Sequence, residues 1–296
     1  MKEYKIIGKE LRKYLTRSEK WLRATFSVAR RHFPREWQIF SLQIFIFLET
    51  FIMYLGGIDI YYLILVLPAA LLSLLASALV KSRYAKFDKV LAQRGVSGAQ
   101  AAQILLKANG ITDVRIAHIS GKLTDNYNPK TKVLSLSDST FASRSIAAVG
   151  VAAHETGHAI QHNVGYGPLI FRRMLVPVAN FGSRFGPTLA ILGIILGAAA
   201  SLEQYLWIFQ LITDIGLLLF GASMIFYIIT LPVEFNASRR ALKILKETNT
   251  LVSKEEIRAA RKVLSAAALT YVAAALTAIG SFLRLLLIAN SRRSRR

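Results

Sequence analysis

Residues 145–162, SIAAVGVAAHETGHAIQH, contain two histidines four positions apart in an almost wholly apolar run. On an α-helix, residues four apart lie on the same face, so His154 and His158 can bind one Zn²⁺ together. Glu155, one position further on, can reach a water molecule on that metal. The apolar flank predicts a buried helix, and buried histidines need partners, which a metal supplies. The stretch therefore predicts a zinc helix with Glu155 as its base.

The composition limits which atoms can hold the metal. The chain has 296 residues, of which 53% are hydrophobic, a net charge of +21 and no cysteine. Disulfides and thiolate zinc ligands are therefore excluded. Any metal must be held by histidine and carboxylate side chains. Imidazole-rich sites also bind other divalent ions, so zinc as the native metal is an expectation.

Several apolar runs reach the roughly 20 residues that a transmembrane helix needs. They cover residues 39–57, 61–80, 185–201 and 205–231, and we predict that they form two transmembrane hairpins with turns at 56–59 and 202–204. Neither turn carries Lys or Arg, whereas basic residues, among them Arg172 before the third run, flank the other ends. The positive-inside rule then places the turns outside and the remainder in the cytoplasm.

A fifth apolar segment, residues 263–288, is followed by an arginine-rich end of the sequence. If this segment crossed the membrane, those arginines would lie outside, against the charge rule. We therefore predict a helix that packs on the catalytic domain or lies at the cytoplasmic interface.

The predicted fold class is a mostly α-helical integral membrane protein, with two transmembrane hairpins around a cytoplasmic α+β, zincin-like catalytic domain. The predicted parts are a basic cytoplasmic segment (1–37), the first hairpin (38–80), the catalytic core with the zinc helix (81–184), the second hairpin (185–231), and the third-ligand helix with C-terminal helices and a basic tail (232–296).

Residues 1–37 hold eleven Lys and Arg. They fit either an amphipathic helix on anionic lipid or a solvated tail that obeys the orientation rule. The lipid bilayer is an expected partner, with anionic lipid at the basic ends as one option. Nucleic acid is not expected, because no recognition motif accompanies this charge.

Local signals outline the catalytic core. Ser97 should cap a helix that runs to about Ala108 and ends at Gly110, and Ser143 should cap the zinc helix. A strand is predicted at residues 113–117, followed by a hairpin of 122–124 and 132–136 around a turn at 126–129. A strand directly before the zinc helix could bind an extended peptide by edge pairing.

A catalytic zinc site usually has three protein ligands and a water. His162 follows His158 by four residues, but three helical histidines at this spacing climb about 12 Å, too far for one ion. We therefore assign His162 to the surroundings of the site or to the surface. Glu234 is the better third ligand, because it lies where the second hairpin returns to the side of the two histidines. The alternative is a helix-start charge that complements the dipole.

Four stretches together resemble the bacterial membrane family of neutral zinc metallopeptidases, over roughly residues 58–290. They are GKLTDNYNPKTKVLSLSDS (121–139), SIAAVGVAAHETGHAIQH (145–162), LVPVANFGS (175–183) and LPVEFNASRRAL (231–242). More distantly, the pattern is similar to HtpX-like and CAAX-prenyl-protease-type metallopeptidases, whose glutamate ligand lies in a Glu-x-x-Ala-Asp motif. Here Glu234 and Ala237 match that motif, but Ser238 replaces the aspartate that would support a zinc-bound histidine. Asn236 or another residue would then have to provide this support.

The resemblance implies one Zn²⁺ on His154, His158 and Glu234, with Glu155 catalytic. We predict a membrane-embedded endopeptidase that hydrolyses membrane or membrane-surface proteins at the cytoplasmic side, using a zinc-activated water and Glu155 as general base. Tyr127, Arg239 and Tyr271 are open candidates for stabilising the oxyanion.

The rival hypothesis is a non-enzymatic scaffold or transporter with a structural metal site. Asp214, an acid within an apolar run, favours it, although we expect Asp214 to lie inside the bundle. Without cysteine, a closed site of four protein ligands is hard to build.

Overall fold

The computed structural model describes residues 59–199 and 203–293. Within these ranges the chain forms six α-helices and one three-stranded sheet. The helices are α1 (Leu67–Asp88), α2 (Gly98–Ala108), α3 (Ile146–Asn163), α4 (Gly167–Ala199), α5 (Leu206–Glu247) and α6 (Lys254–Arg293). The strands are β1 (Arg115–Ile119), β2 (Asn126–Asn128) and β3 (Val133–Ser137). A π-helical turn, Tyr62–Val66, leads into α1, and a 3-10 turn, Glu203–Tyr205, leads into α5. The predictions for residues 1–37 and 39–57 lie outside the described residues.

Four helices in the described ranges are long and apolar enough to cross a membrane. They cover Tyr62–Asp88, Gly167–Gly197, Leu206–Glu247 and Lys254–Ser291. Three of them overlap the runs predicted at 61–80, 185–201 and 205–231, and each extends beyond its apolar run at one end. The fourth contains residues 263–288, which form part of one continuous helix instead of a separate helix confined to the catalytic domain. By length and composition α6 is therefore a candidate span, contrary to our preference from the sequence.

An ion pair explains how α6 accommodates a charge deep in its apolar part. The Nε and Nη2 atoms of Arg284 donate to Oδ2 of Asp59 at 2.8 and 2.6 Å. The guanidinium also lies 5.4 Å from the ring centre of Tyr62. One turn away, Gly280 lets α6 approach the backbone carbonyl of Leu65. Arg284 is therefore neutralised by a residue 225 positions away in the sequence, which the local charge pattern does not reveal.

Small residues bring α4 and α5 into backbone contact. A Cβ atom on Gly186 would lie 2.7 Å from the backbone nitrogen of Phe220 and 2.9 Å from the carbonyl oxygen of Gly216. Such approach is typical of helix pairs in membranes, where packing replaces the hydrophobic effect. The contact aligns α4 and α5, and both helices reach the site described below.

The predicted zinc helix, α3, lies at the centre of a buried core, as its apolar composition predicts. Its buried face packs with α2, the sheet, the end of α5 and the start of α6 in one core. A helix that is apolar on most sides is stable only when neighbours surround it. Ser145, rather than the predicted Ser143, caps α3, because its Oγ accepts from the amide of Ala148 at 3.1 Å. Ser143 instead donates to the hydroxyl of Ser145.

The predicted hairpin is wrong in its first strand, which lies at 126–128 and not at 122–124. Ser97 caps α2 as predicted, and Gly110 follows it with φ +66°. The strand order is β1-β3-β2, with β3 parallel to β1 and antiparallel to β2. The second strand occupies 126–128, where the sequence predicted a turn. The strand before the zinc helix, β3, is the central strand, so it has no free edge for a peptide, whereas β2 is an edge strand.

Candidate metal centre

His154 and His158 from α3 meet Glu234 from α5. Oε2 of Glu234 lies 3.2 Å from Nε2 of His154 and 3.5 Å from Nε2 of His158. The two imidazoles are 13% and 12% exposed, and the carboxylate is 3% exposed. Possible ligand atoms of the three side chains all lie within 4.8 Å of one another. The structure therefore brings together the three residues that the sequence analysis selected as ligands.

The spacing of these atoms fits a tetrahedral metal. Ligand atoms about 2.0–2.1 Å from a tetrahedral zinc are about 3.3 Å apart. The two distances from Oε2 of Glu234, 3.2 and 3.5 Å, lie on either side of that value. His162 is not a member of the cluster, in agreement with the helical-rise argument.

Gly157 makes the meeting of α3 and α5 possible. A Cβ atom at this position would lie 2.5 Å from the carbonyl oxygen of Ala237 and 3.2 Å from its Cα. No side chain fits there, so the two backbones touch between the histidine pair and the glutamate. The glycine inside the His-Glu-x-x-His pattern therefore sets the distance between α3 and Glu234.

Ser238 takes over the support of His154. Its Oγ lies 3.1 Å from Nδ1 of His154, the nitrogen that faces away from Glu234. When Nε2 of a histidine binds a metal, Nδ1 carries the hydrogen and needs an acceptor. The serine in place of the expected aspartate can therefore do this with a hydroxyl oxygen. Asn236 instead accepts hydrogen bonds from Gln161 and Arg240.

Gln161 supports His158 and fixes its tautomer. The amide nitrogen of Gln161 donates to the carbonyl oxygen of Val233 at 2.7 Å and to Oδ1 of Asn236 at 3.0 Å. A backbone carbonyl only accepts, so Oε1 of Gln161 must be the atom 3.0 Å from Nδ1 of His158. The hydrogen of His158 is therefore on Nδ1.

The tautomer of His158 leaves Nε2 as a hydrogen-bond acceptor on the side of Glu234. In a neutral His158, Nε2 presents a lone pair to a carboxylate oxygen of Glu234, 3.5 Å away. Two acceptors in contact require a cation between them, either a proton or a metal ion. The chemistry of the donors thus fits a bound cation, and two imidazoles with one carboxylate are a typical catalytic zinc set.

Arg172 is a residue of this site that the sequence analysis used only as a basic flank. Its Nη1 donates to Oε1 of Glu234 at 3.1 Å. The guanidinium also lies 5.9 Å from the ring centre of Phe226 on α5. The two oxygens of Glu234 thus face different partners: Oε1 faces Arg172 and Oε2 faces the imidazoles.

The remaining predicted residues are distributed as follows. Glu155 is buried on α3, next to His154. The hydroxyl of Tyr127 on β2 lies 2.9 Å from Nδ1 of His162. Burial raises the pKa of the Tyr127 hydroxyl and lowers the pKa of the His162 ring, so both side chains are neutral at pH 7. This pair joins β2 to the zinc helix.

Three further residues that the sequence singled out lie on α5 and α6. Arg239 is exposed on α5, and Tyr271 is partly buried on α6. Asp214 is exposed on α5, so the expectation that it lies inside the bundle is wrong.

Comparison with known proteins identifies the family of this chain. A family model described as "Putative neutral zinc metallopeptidase" matches residues 62–290. The chain is 42% identical to "Putative membrane protease YugP" of Bacillus subtilis (strain 168) over 227 residues, which are 77% of this chain and 96% of that protein. No solved structure matches the chain. The family match covers almost the same residues as the resemblance predicted from the sequence, roughly 58–290, and it includes His154, His158 and Glu234. The chain therefore belongs to the neutral zinc metallopeptidase family.

Proposed function

We propose that this protein is a membrane-embedded zinc endopeptidase that hydrolyses peptide bonds of membrane or membrane-surface proteins. The observation that carries the proposal is the convergence of His154, His158 and Glu234, with ligand atoms within 4.8 Å, beside the buried Glu155. Family membership adds the expectation of zinc and of proteolysis.

Each residue of the site has a separate role in the proposed reaction. A zinc ion on the three side chains would lower the pKa of water at the site and polarise the scissile carbonyl. The carboxylate of Glu155 takes a proton from the attacking water and passes it to the leaving amine. Ser238 and Gln161 hold the two imidazoles with Nε2 toward Glu234. Because both supports are hydrogen-bonded to Nδ1, the rings need little reorganisation during the reaction.

The placement of the cluster supports membrane substrates. Glu234 lies within α5, a helix long and apolar enough to span a bilayer, and its partner Arg172 lies near the start of α4, another such helix. The site is thus built at the junction of candidate membrane helices and the core around α3. The free edge of β2, joined to α3 through Tyr127, would accept an extended peptide by strand pairing.

The basic residues favour a cytoplasmic site. Lys81, Arg83 and Lys86 lie at the end of α1 nearest the core, and Arg239 and Arg240 lie on the corresponding part of α5. At the other end of α1, Arg284 is neutralised by Asp59. Arg292 and Arg293 at the end of α6 are the exception to this distribution. Positive charge on the core side predicts a cytoplasmic core.

The rival, a scaffold or transporter with a structural metal, needs a closed ligand shell. The cluster found among the described residues has three ligand groups, not four, and the chain has no cysteine. Three protein ligands with one open position are typical of catalytic zinc. The geometry therefore favours the enzyme.

The test of substrate class is cleavage by purified protein in liposomes. One peptide is supplied with a membrane-spanning segment beside the cleavage site, and a second has the same cleavage site without that segment. We expect a kcat/KM at least about tenfold higher for the anchored peptide, because the bilayer confines it next to the site. His154→Ala is the control for contaminating proteases. Equal or faster cleavage of the soluble peptide by the wild type would contradict the proposed substrate class.

A further inference from the structure

We propose that Arg172 is a positioning residue that restricts Glu234 to binding the metal through one oxygen, which keeps a coordination position open for the reaction. This inference rests on the proposed function. It concerns a residue on a different helix from all three ligands, 62 positions before Glu234 in the sequence.

The two carboxylate oxygens are already assigned to different partners. Oε1 accepts from Nη1 of Arg172 at 3.1 Å, and Oε2 lies within 3.5 Å of both imidazole Nε2 atoms. Glu234 is 3% exposed, so water cannot readily replace the arginine as a partner of Oε1. A charge-assisted hydrogen bond in such a place is among the stronger ones in proteins.

Without Arg172, the carboxylate of Glu234 could bind the metal through one oxygen or through both. Carboxylates bind metals through one or both oxygens, and a buried oxygen that loses its donor must find another partner or bear the desolvation penalty. In the absence of Arg172, a metal held by Oε2 would be an available cation for Oε1. With a water molecule also bound, the metal would then have five ligand atoms, and the position that the substrate carbonyl needs would be filled.

The surroundings of Arg172 support a fixed role for it. Its guanidinium is held on one side by Phe226 of α5, with 5.9 Å between the guanidinium carbon and the ring centre. It is 28% exposed, so it is neither a free surface charge nor a fully buried one. The aromatic contact and the carboxylate both come from α5, so Arg172 also fixes the start of α4 against the ligand helix.

The test replaces Arg172 by methionine and reads the metal directly. Methionine keeps an apolar side chain against Phe226 but has no N–H donor. The protein is loaded with Co²⁺, whose visible absorption is strong when four-coordinate and much weaker when five-coordinate. We expect the strong spectrum in the wild type and the weak spectrum in Arg172→Met, with kcat at least about tenfold lower in the zinc form and KM nearly unchanged.

The matched control is Arg173→Met, which removes the same charge from the next position and should leave the cobalt spectrum unchanged. If Arg172→Met does not fold, Arg172→Gln makes the same comparison, because the glutamine side chain is too short to reach Oε1.

The possible outcomes separate this inference from the proposed function. A wild type that binds no metal overturns the proposed function itself. A wild type that binds cobalt and hydrolyses peptides, with an unchanged cobalt spectrum in the Arg172 variant, overturns only the role of Arg172. A spectrum that changes equally in the Arg172 and Arg173 variants also overturns it, because the effect would then be one of net charge.

Discussion

Glu155→Gln is expected to abolish peptide hydrolysis while the protein keeps its zinc. Glutamine has nearly the shape of glutamate but cannot accept a proton at neutral pH, so the attacking water loses its base. General-base catalysis contributes about 10²–10⁴-fold to a rate, and we expect a loss in kcat of at least this size. Zinc should stay, because Glu155 is not part of the ligand cluster.

The measurement pairs zinc content with hydrolysis on the same preparation. His154→Ala serves as the comparison, since it should lose both the metal and the activity. Turnover close to that of the wild type in Glu155→Gln would remove Glu155 from the mechanism. Loss of zinc in the same variant would show that Glu155 acts on the metal and not as a base.

Gly157→Ala is expected to separate the zinc helix from Glu234. The added methyl would lie 2.5 Å from the carbonyl oxygen of Ala237, and ordinary carbon–oxygen contacts are about 3.3 Å or longer. Overpacking of this kind destabilises by about 1–3 kcal/mol, against a helix-propensity gain of about 1 kcal/mol from replacing glycine. Relieving this contact needs a shift of about 0.8 Å between α3 and α5, and a displacement of about this size should lower the rate of hydrolysis by about 10²-fold.

Gly150→Ala is a matched control in the same helix. Its Cβ would lie 3.5 Å from Cβ of Ala260, an ordinary contact, so the same substitution should stabilise the protein by up to about 1 kcal/mol. The measurements are the thermal midpoint and the activity of both variants. Opposite signs for the two are expected, and a Gly157→Ala protein as stable and active as Gly150→Ala would contradict the close approach of α3 and α5.

The features that could be predicted from the sequence are those with a local signal. Two histidines at a spacing of four, an apolar flank and a Ser97 cap each depend on neighbours within one or two turns. Glu234 was found by a different argument, because the predicted topology returned it to the side of the histidines. The structure brings its carboxylate within 3.5 Å of both rings.

The features that were missed depend on contacts between distant segments. Arg172 was counted as a flanking charge, and only the packing of α4 on α5 shows that it meets Glu234. The Asp59–Arg284 pair is similar, since a charge rule applied to flanks cannot detect a partner on another helix. β2 was misplaced because polar residues such as Asn126 and Asn128 favour turns, while pairing with β3 overrides that preference.

Gln161 could have been predicted from the sequence as a hydrogen-bond partner of His158. It follows His158 by three residues, a spacing that places two helical side chains on the same face. A glutamine at that position, with no other assigned role, was a candidate acceptor for the histidine hydrogen. Its anchoring by the carbonyl oxygen of Val233, however, is visible only in the structure.

The central claim is that Glu234 completes a single zinc site with His154 and His158. Its most direct test is the zinc affinity of Glu234→Ala, measured by competition with a chelator, beside the wild type. Glu247→Ala is the control, because Glu247 is an exposed glutamate on the same helix. We predict one zinc ion per chain in the wild type and the control, and an affinity at least about 10²-fold weaker in Glu234→Ala, since a three-ligand site loses its only carboxylate. Zinc bound by Glu234→Ala with wild-type stoichiometry and affinity would contradict the claim.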